Sequence, residues 1–103
     1  MITWITGESG SGKSTLAKKI KGKNDIWLDA DVLRPIISAD LGFSIEDRME
    51  NNKRFARLAN VLSEQGHDVV VSTICPTDEI KQQVYWICKC RFVELKGGFN
   101  ALA

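Results

Sequence analysis

No stretch of the sequence approaches the roughly 20 consecutive apolar residues that a membrane span requires. The N-terminus opens on a short β-rich run rather than on a basic region and an apolar signal segment. These two absences predict a cytoplasmic protein. An excess of either charge is also missing: 14 Lys and Arg face 13 Asp and Glu, for a net charge of +1 and a pI near 7.7. That balance gives no electrostatic footprint for nucleic acid or for an anionic membrane surface, so neither is expected as a partner. Cysteine is sparse, and Cys75, Cys88 and Cys90 make an odd count. Cys88-Lys89-Cys90 lacks the two-residue spacing of zinc knuckles and redox pairs, so all three are read as reduced thiols without a metal. Histidine is limited to His67, at a turn before a strand, and is read as a surface residue. There is no internal repeat and no low-complexity segment. With 103 residues the chain is read as one domain over 1–103, burying roughly 65% of the surface its unfolded form exposes.

What the sequence does contain is Gly7-Glu8-Ser9-Gly10-Ser11-Gly12-Lys13-Ser14-Thr15, which fits the phosphate-binding loop: four free positions between a glycine and Gly-Lys-Ser. Gly7, Gly10 and Gly12 allow backbone conformations that a Cβ would block, so successive amides turn inward to cradle phosphate oxygens. In such a loop Lys13 reaches the β- and γ-phosphates, the Ser14 hydroxyl joins a Mg²⁺ shell, and the helix that follows aims its positive end at the anion. A Gly/Ser-rich linker is the competing reading. Context argues against it, because the β-rich run Met1–Thr6 precedes the loop and Leu16-Ala17-Lys18-Lys19-Ile20 continues as a helix.

Periodicity places the remaining elements. The first helix is predicted from about Gly12 to Lys21, with Lys18, Lys19 and Lys21 suiting its C-terminus. Ile26-Trp27-Leu28 is a short strand that delivers Asp29 and Asp31 to its C-terminal end, the edge where ligands bind in open α/β sheets. Asp31 is placed as the cap of a helix from Val32 to about Ala39, with Pro35 in its first turn. Ser44-Ile45-Glu46-Asp47 reads as the capped start of a long helix to about Gln65, with Phe55, Leu58, Ala59 and Leu62 as its buried stripe. Gly66 closes that helix, Val69-Val70-Val71 forms a doubly covered strand, a helix begins at Pro76 or Thr77 and passes Val84, Ile87 and Cys88, and Phe92–Leu95 is a fourth strand. Residues 97–103 are read as an irregular tail. Trp4, Trp27 and Trp86 are assigned to the core. Strands alternating with helices predict a three-layer α/β/α sandwich with a parallel sheet of P-loop kinase type, strand order 2-3-1-4.

Three further motifs make the sequence resemble the adenylylsulfate (APS) kinase family. Leu28-Asp29-Ala30-Asp31-Val32-Leu33-Arg34 is similar to that family's L-D-G-D-N-V-R. Asp40-Leu41-Gly42-Phe43-Ser44-Ile45-Glu46-Asp47-Arg48-Met49-Glu50-Asn51 is similar to D-L-G-F-S-x-x-D-R-x-E-N, and Val71-Ser72-Thr73-Ile74-Cys75-Pro76 to V-S-x-I-S-P. A P-loop is shared by many families; the second motif is specific. The resemblance implies transfer of the ATP γ-phosphate to the 3′-hydroxyl of adenosine 5′-phosphosulfate, giving PAPS, as in sulfate assimilation. It implies ATP and Mg²⁺ at the loop, APS as the second small-molecule ligand, and allows a homodimer. Residue by residue it implies catalytic roles for Lys13, Asp29 and Asp31, nucleotide contacts along 7–15, and metal organisation by Ser14 and Asp29. Asp31, Arg34, Phe43, Arg48, Asn51 and Ile74 would meet APS, with Phe43 stacked on its adenine. Chemistry favours these types: planar guanidinium forks bind phosphosulfate oxygens in pairs, and a carboxylate beside the loop orients a hydroxyl.

Read without the resemblance, the same residues have plainer uses. Asp31 also fits a helix cap, Asp29 a surface carboxylate, Arg48 a solvated helix face with Glu46 or Glu50, and Phe43 a staple packed on Arg48 or Met49. Two other functions stay open: a kinase of another small alcohol or nucleotide, and a nucleotide-binding protein with little turnover. The sequence also departs from the family. Ala30 stands for a glycine, Val32 for an asparagine, and Thr77–Lys81 lacks the arginines of the family's corresponding helix. The family's K-G-L-Y lid, its G-x-T-G-x-D-x-P-Y-E segment and its last strand and helices have no counterpart. The expectation is therefore binding of nucleotide and APS with turnover well below that of a complete member, unless another chain covers the site.

Overall fold

The computed structural model describes residues 1–8, 10–75 and 77–95. Ser9 of the loop, Pro76 and the tail 97–103 lie outside the described residues. The elements run β1 (Ile2–Gly7), α1 (Lys13–Ile20), β2 (Ile26–Asp29), α2 (Ala30–Ile37), α3 (Ile45–Glu64), β3 (Val69–Thr73), α4 (Asp78–Cys88) and β4 (Arg91–Leu95). The four strands form one parallel sheet in the order β2-β3-β1-β4. Ile2 faces Val69 and Thr6 faces Thr73 across β1 and β3, while Asp29 faces Ser72 across β2 and β3. The C-terminal ends of β1, β2 and β3 therefore open on one edge.

Alternation along each strand sends side chains to two separate cores. Ile2, Trp4, Leu28, Val69 and Val71 pack with Phe55, Ala56, Ala59, Ile80 and Val84 beneath α3 and α4, and Leu33 and Ile37 of α2 join them. Ile5, Val70 and Leu95 turn the other way and meet Ala17 and Leu16 of α1, with Trp27 and Val93 partly buried beside them. The layers are α1, the sheet, and α2 with α3 and α4. Every residue of β3 is buried, as expected of a strand covered on both faces and paired on both edges. No helix among the described residues is long and apolar enough to cross a membrane.

Ser44 caps α3 by accepting from the Asp47 N–H at 3.1 Å, and Gly66 ends the turn after it at φ +95°, a left-handed geometry that favours glycine. Thr77 caps α4 by accepting from the Ile80 N–H at 3.2 Å. Three expectations need correction. The cap of α2 is Asp29, not Asp31: β2 runs straight into the helix, and the Asp29 carboxylate, on an extended residue, accepts the Asp31 N–H at 3.1 Å. Pro35 is consequently the sixth residue of α2 rather than a first-turn residue; it cannot donate to the carbonyl one turn back, and the helix ends two residues later. Trp86 is 64% exposed, not core. It follows Val84 by two positions, about 200° around the helix, so it leaves the Ile80–Val84–Cys88 stripe. Its ring lies 4.5 Å from the Lys89 ammonium instead.

Candidate active site

The described part of the glycine loop between β1 and α1 turns on two left-handed glycines. Gly10 and Gly12 sit at φ +81° and +94°, which L side chains resist. Gly7 serves a different purpose from the one expected. Its φ is not positive, but a Cβ there would lie 2.6 Å from Ser11 Oγ and 2.7 Å from the Leu95 carbonyl, so glycine is needed for close approach. Gly12 precedes α1 without a side-chain cap, which leaves the first amides of the helix to an outside acceptor. The Glu8 carbonyl accepts from the Ser11 N–H at 3.0 Å and from Lys13 Nζ at 2.9 Å. This hydrogen bond bends the Lys13 side chain back over the loop. Burial lowers the Lys13 pKa from the ordinary lysine value, while the charges of Asp31 and then Asp29 raise it; both carboxylates therefore act on the same ammonium. Ser11 Oγ is buried and has no hydrogen-bond partner among the described residues. Ser14 is half-buried, and Glu8 and Thr15 are exposed at the loop's outer rim.

The second wall is built by α2, the 38–44 loop, α3 and the end of β3. A cleft of about 170 Å³ is lined by Lys13 and Asp31 on one side and by Arg34, Phe43, Arg48, Asn51 and Ile74 on the other, with Asn52, Ser72 and Thr73 at its floor. The loop carrying Phe43 is tied down along its length. Arg34 Nη2 donates to the Gly42 carbonyl, the Gly42 N–H donates to Asp47 Oδ2 at 2.8 Å, and Arg48 Nε donates to the Phe43 carbonyl at 3.0 Å. Arg54 grips Asp40 with a bidentate pair at 2.7 and 2.9 Å and also donates to the Ile37 carbonyl. Phe43 remains 71% exposed, with the Arg34 guanidinium 4.3 Å and that of Arg48 6.0 Å from its ring centre. Arg48 thus lies against Phe43, and among the described residues no ion pair joins it to Glu46 or Glu50. Asn51 is buried and its Oδ1 has no partner among the described residues, at a penalty of about 1–3 kcal/mol that a donor entering the cleft would relieve.

Every described residue expected at the site lies on this one edge of the sheet, and the two aspartates divide their work. Asp29 Oδ1 accepts from the Asp31 N–H and, at 3.3 Å, from the Ser72 hydroxyl, which itself accepts from Trp27 Nε1 at 3.0 Å. Among the described residues no hydrogen bond ends on the Asp31 carboxylate, which is exposed beside Lys13. Ser72, Thr73 and Asn52 were not foreseen as cleft residues. Ser72 and Thr73 close a strand otherwise made of valine, and that change to hydroxyl side chains was the available signal.

Loop, sheet order and cleft are those of a P-loop kinase fold. Residues 1–96 match the adenylylsulphate kinase family, and the chain belongs to that family. It is 42% identical over 100 residues to an adenylyl-sulfate kinase of Paraburkholderia xenovorans, an alignment covering 91% of this chain and 56% of that protein. It is 44% identical over 89 residues to a probable adenylyl-sulfate kinase of Bacillus subtilis, covering 81% and 45%. The Mycobacterium tuberculosis APS kinase CysC, solved in complex with AMPPNP and APS, superposes with a TM-score of 0.73 at 37% identity, covering 92% of this chain and 60% of that one. The chain thus spans about half the length of the curated relatives it matches. A sugar kinase from Janibacter with a TM-score of 0.74 at 17% identity shares the fold alone.

Proposed function

We propose that this chain transfers the γ-phosphoryl group of ATP to the 3′-hydroxyl of adenosine 5′-phosphosulfate, yielding ADP and PAPS. One observation carries the reading: a single cleft joins the loop lysine, across Asp31, to two arginines and an exposed aromatic ring. In this reading the loop amides and Lys13 hold the β- and γ-phosphates, with the Lys13 ammonium moving from the Glu8 carbonyl to phosphate oxygen. Asp31 accepts a hydrogen bond from the acceptor hydroxyl. That oxygen forms the new bond to the γ-phosphorus as the bond to the β,γ-bridging oxygen breaks, and its proton leaves through the Asp31 carboxylate or water. Arg34 and Arg48 meet the phosphosulfate, and Phe43 offers its ring to the adenine.

The donors near the loop suit a hard cation. Ser14 and Asp29 supply oxygen only, and the described residues contain no group of three or more His, Cys, Asp or Glu that would hold an ion without the phosphates. Mg²⁺ would be held by Ser14 and, through water, by Asp29, and when bound it neutralises charge on the β- and γ-oxygens. The test is ADP release with APS compared with a panel of sugars and alcohols. APS-dependent release supports the proposal; release with a sugar or alcohol and none with APS refutes it.

A further inference from the structure

A buried chain of hydrogen bonds runs from the centre of the sheet to the acceptor side of the cleft. Trp4 Nε1 in β1 donates to Thr73 Oγ1 at 2.9 Å, and Thr73 Oγ1 donates to Asn52 Oδ1 at 2.7 Å. Asn52 Nδ2 donates to two main-chain carbonyls, Arg48 at 2.8 Å and Ile74 at 3.1 Å. Trp4 and Asn52 are 0% exposed and Thr73 is 1% exposed. The polarity is fixed by chemistry. The indole only donates, so the Thr73 oxygen accepts from it and has its own proton left for Asn52 Oδ1. Reversing the amide would turn its oxygen toward two carbonyl oxygens and its NH₂ toward the Thr73 hydroxyl, forfeiting both carbonyl bonds. One side chain therefore clasps α3 at Arg48 and the segment after β3 at Ile74, the two walls between which the acceptor side of the cleft opens.

We propose that Asn52 and Thr73 are positioning residues for the acceptor side of the cleft, acting through Arg48 and Ile74. Among the groups given roles above for nucleotide, metal or acceptor, neither appears. The inference rests on reading that side as the acceptor site. An apolar pair at 52 and 73 would fill the same space, but it would leave the Ile74 carbonyl and the Trp4 N–H without these partners and would let the two walls slide. Among the described residues no hydrogen bond of this chain ends on α1 or the glycine loop, and the segment after β3 meets β1 through a separate bond, from the Cys75 N–H to Thr6 Oγ1 at 3.0 Å, so the substitution is expected to disturb the acceptor side more than the nucleotide side.

The decisive variant is Thr73→Val, nearly isosteric but without the hydroxyl, with Thr73→Ser as the variant that restores it. The expected result is a KM for APS raised about tenfold, the order that a small misplacement of a binding group produces. The KM for ATP is expected within about twofold of the unsubstituted protein, with the APS value returning in Thr73→Ser. Equal changes in both KM values, or a lowered melting temperature with both unchanged, overturns the inference and leaves Thr73 a purely structural residue. Were the unsubstituted chain inactive on APS, the proposed function would fail separately. The positioning role is then decided by the NMR signal of the Arg48 Nε–H, which donates to the Phe43 carbonyl. A signal shifted in Thr73→Val and restored in Thr73→Ser supports the inference, and an unmoved signal overturns it. Should Thr73→Val fail to fold, exchange of the two Asn52 side-chain amide protons in the unsubstituted chain decides: slow exchange supports the clasp and rapid exchange overturns it.

Discussion

Replacing the two aspartates one at a time separates the carboxylate that caps α2 from the one on which no described hydrogen bond ends. Asp29→Ala removes the cap of α2 and the acceptor of the Ser72 hydroxyl. Loss of an N-cap costs about 1 kcal/mol, within a range of roughly 0.5–2, and in a domain near 100 residues each kcal/mol moves Tm by about 4–8 °C. Asp29→Ala is therefore expected to melt about 4–8 °C lower. Asp31→Asn is expected to change stability by less than about 0.5 kcal/mol, as for an exposed position, because no described hydrogen bond ends on that carboxylate. It should instead lower kcat by about 10²–10⁴, the usual worth of a positioned proton acceptor, or about 2.7–5.4 kcal/mol of barrier. It also takes from Lys13 the stronger of its two neighbouring negative charges. Differential scanning fluorimetry and an ADP-release assay on both variants give the answer. Wild-type kcat in Asp31→Asn refutes the acceptor role. An Asp31→Asn melting temperature as low as that of Asp29→Ala refutes the division between the two residues.

Lys13→Ala removes the ammonium at the loop and is expected to abolish ATP turnover, measured as ADP release; unchanged ATP affinity together with unchanged turnover would rule out the loop as the phosphate site. Arg48→Ala should weaken APS binding by on the order of 2–3 kcal/mol, as for a lost charge-assisted contact, with a smaller effect on ATP; calorimetry showing equal losses for both ligands contradicts the assigned pocket. Hydrogen bonding to Arg54 holds the Asp40 carboxyl down to about 2 from 3.8. Its folded pKa is the lower one, so its stabilising contribution is complete above about 3.8 and disappears as pH falls through about 2. Melting temperatures between pH 5 and 2 should fall less steeply in Asp40→Asn than in the unsubstituted protein, and identical slopes would refute the pairing.

The legible parts of the molecule were those where local chemistry and tertiary demand agree. The glycine loop, the capped start of α3 at Ser44 and the valine run of β3 each announce their structure; alternation of strands and helices implies a parallel sheet, while its order comes with the P-loop kinase type the glycine loop indicates. The boundary of α2 was hidden because Asp29 and Asp31 are equally good caps in sequence; only the direct junction of β2 with the helix selects Asp29. Trp86 was misplaced because its size suggested burial while its position on α4 decided otherwise. Asn52 was invisible for the opposite reason. A polar residue on a helix next to Lys53 and Arg54 reads as solvated, and only the approach of Thr73 and Ile74, more than 20 positions away, reveals that its amide is hydrogen-bonded at both ends.

The central position of β1 has a consequence for how the protein is made. Both of its neighbours in the sheet, β3 and β4, lie far downstream, since Ile2 pairs with Val69 and Thr3 with Arg91. At ribosomal speeds of about 5–20 residues per second, roughly 60 residues of synthesis separate β1 from its first partner, or about 3–12 s. Throughout that interval Ile2, Trp4 and Ile5 have no sheet to enter, and the glycine loop has no strand beside it to hold its shape. Nascent chains shorter than β3 should therefore be protease-sensitive and bound by chaperones, and nucleotide should protect the chain only after Thr73 has cleared the exit tunnel.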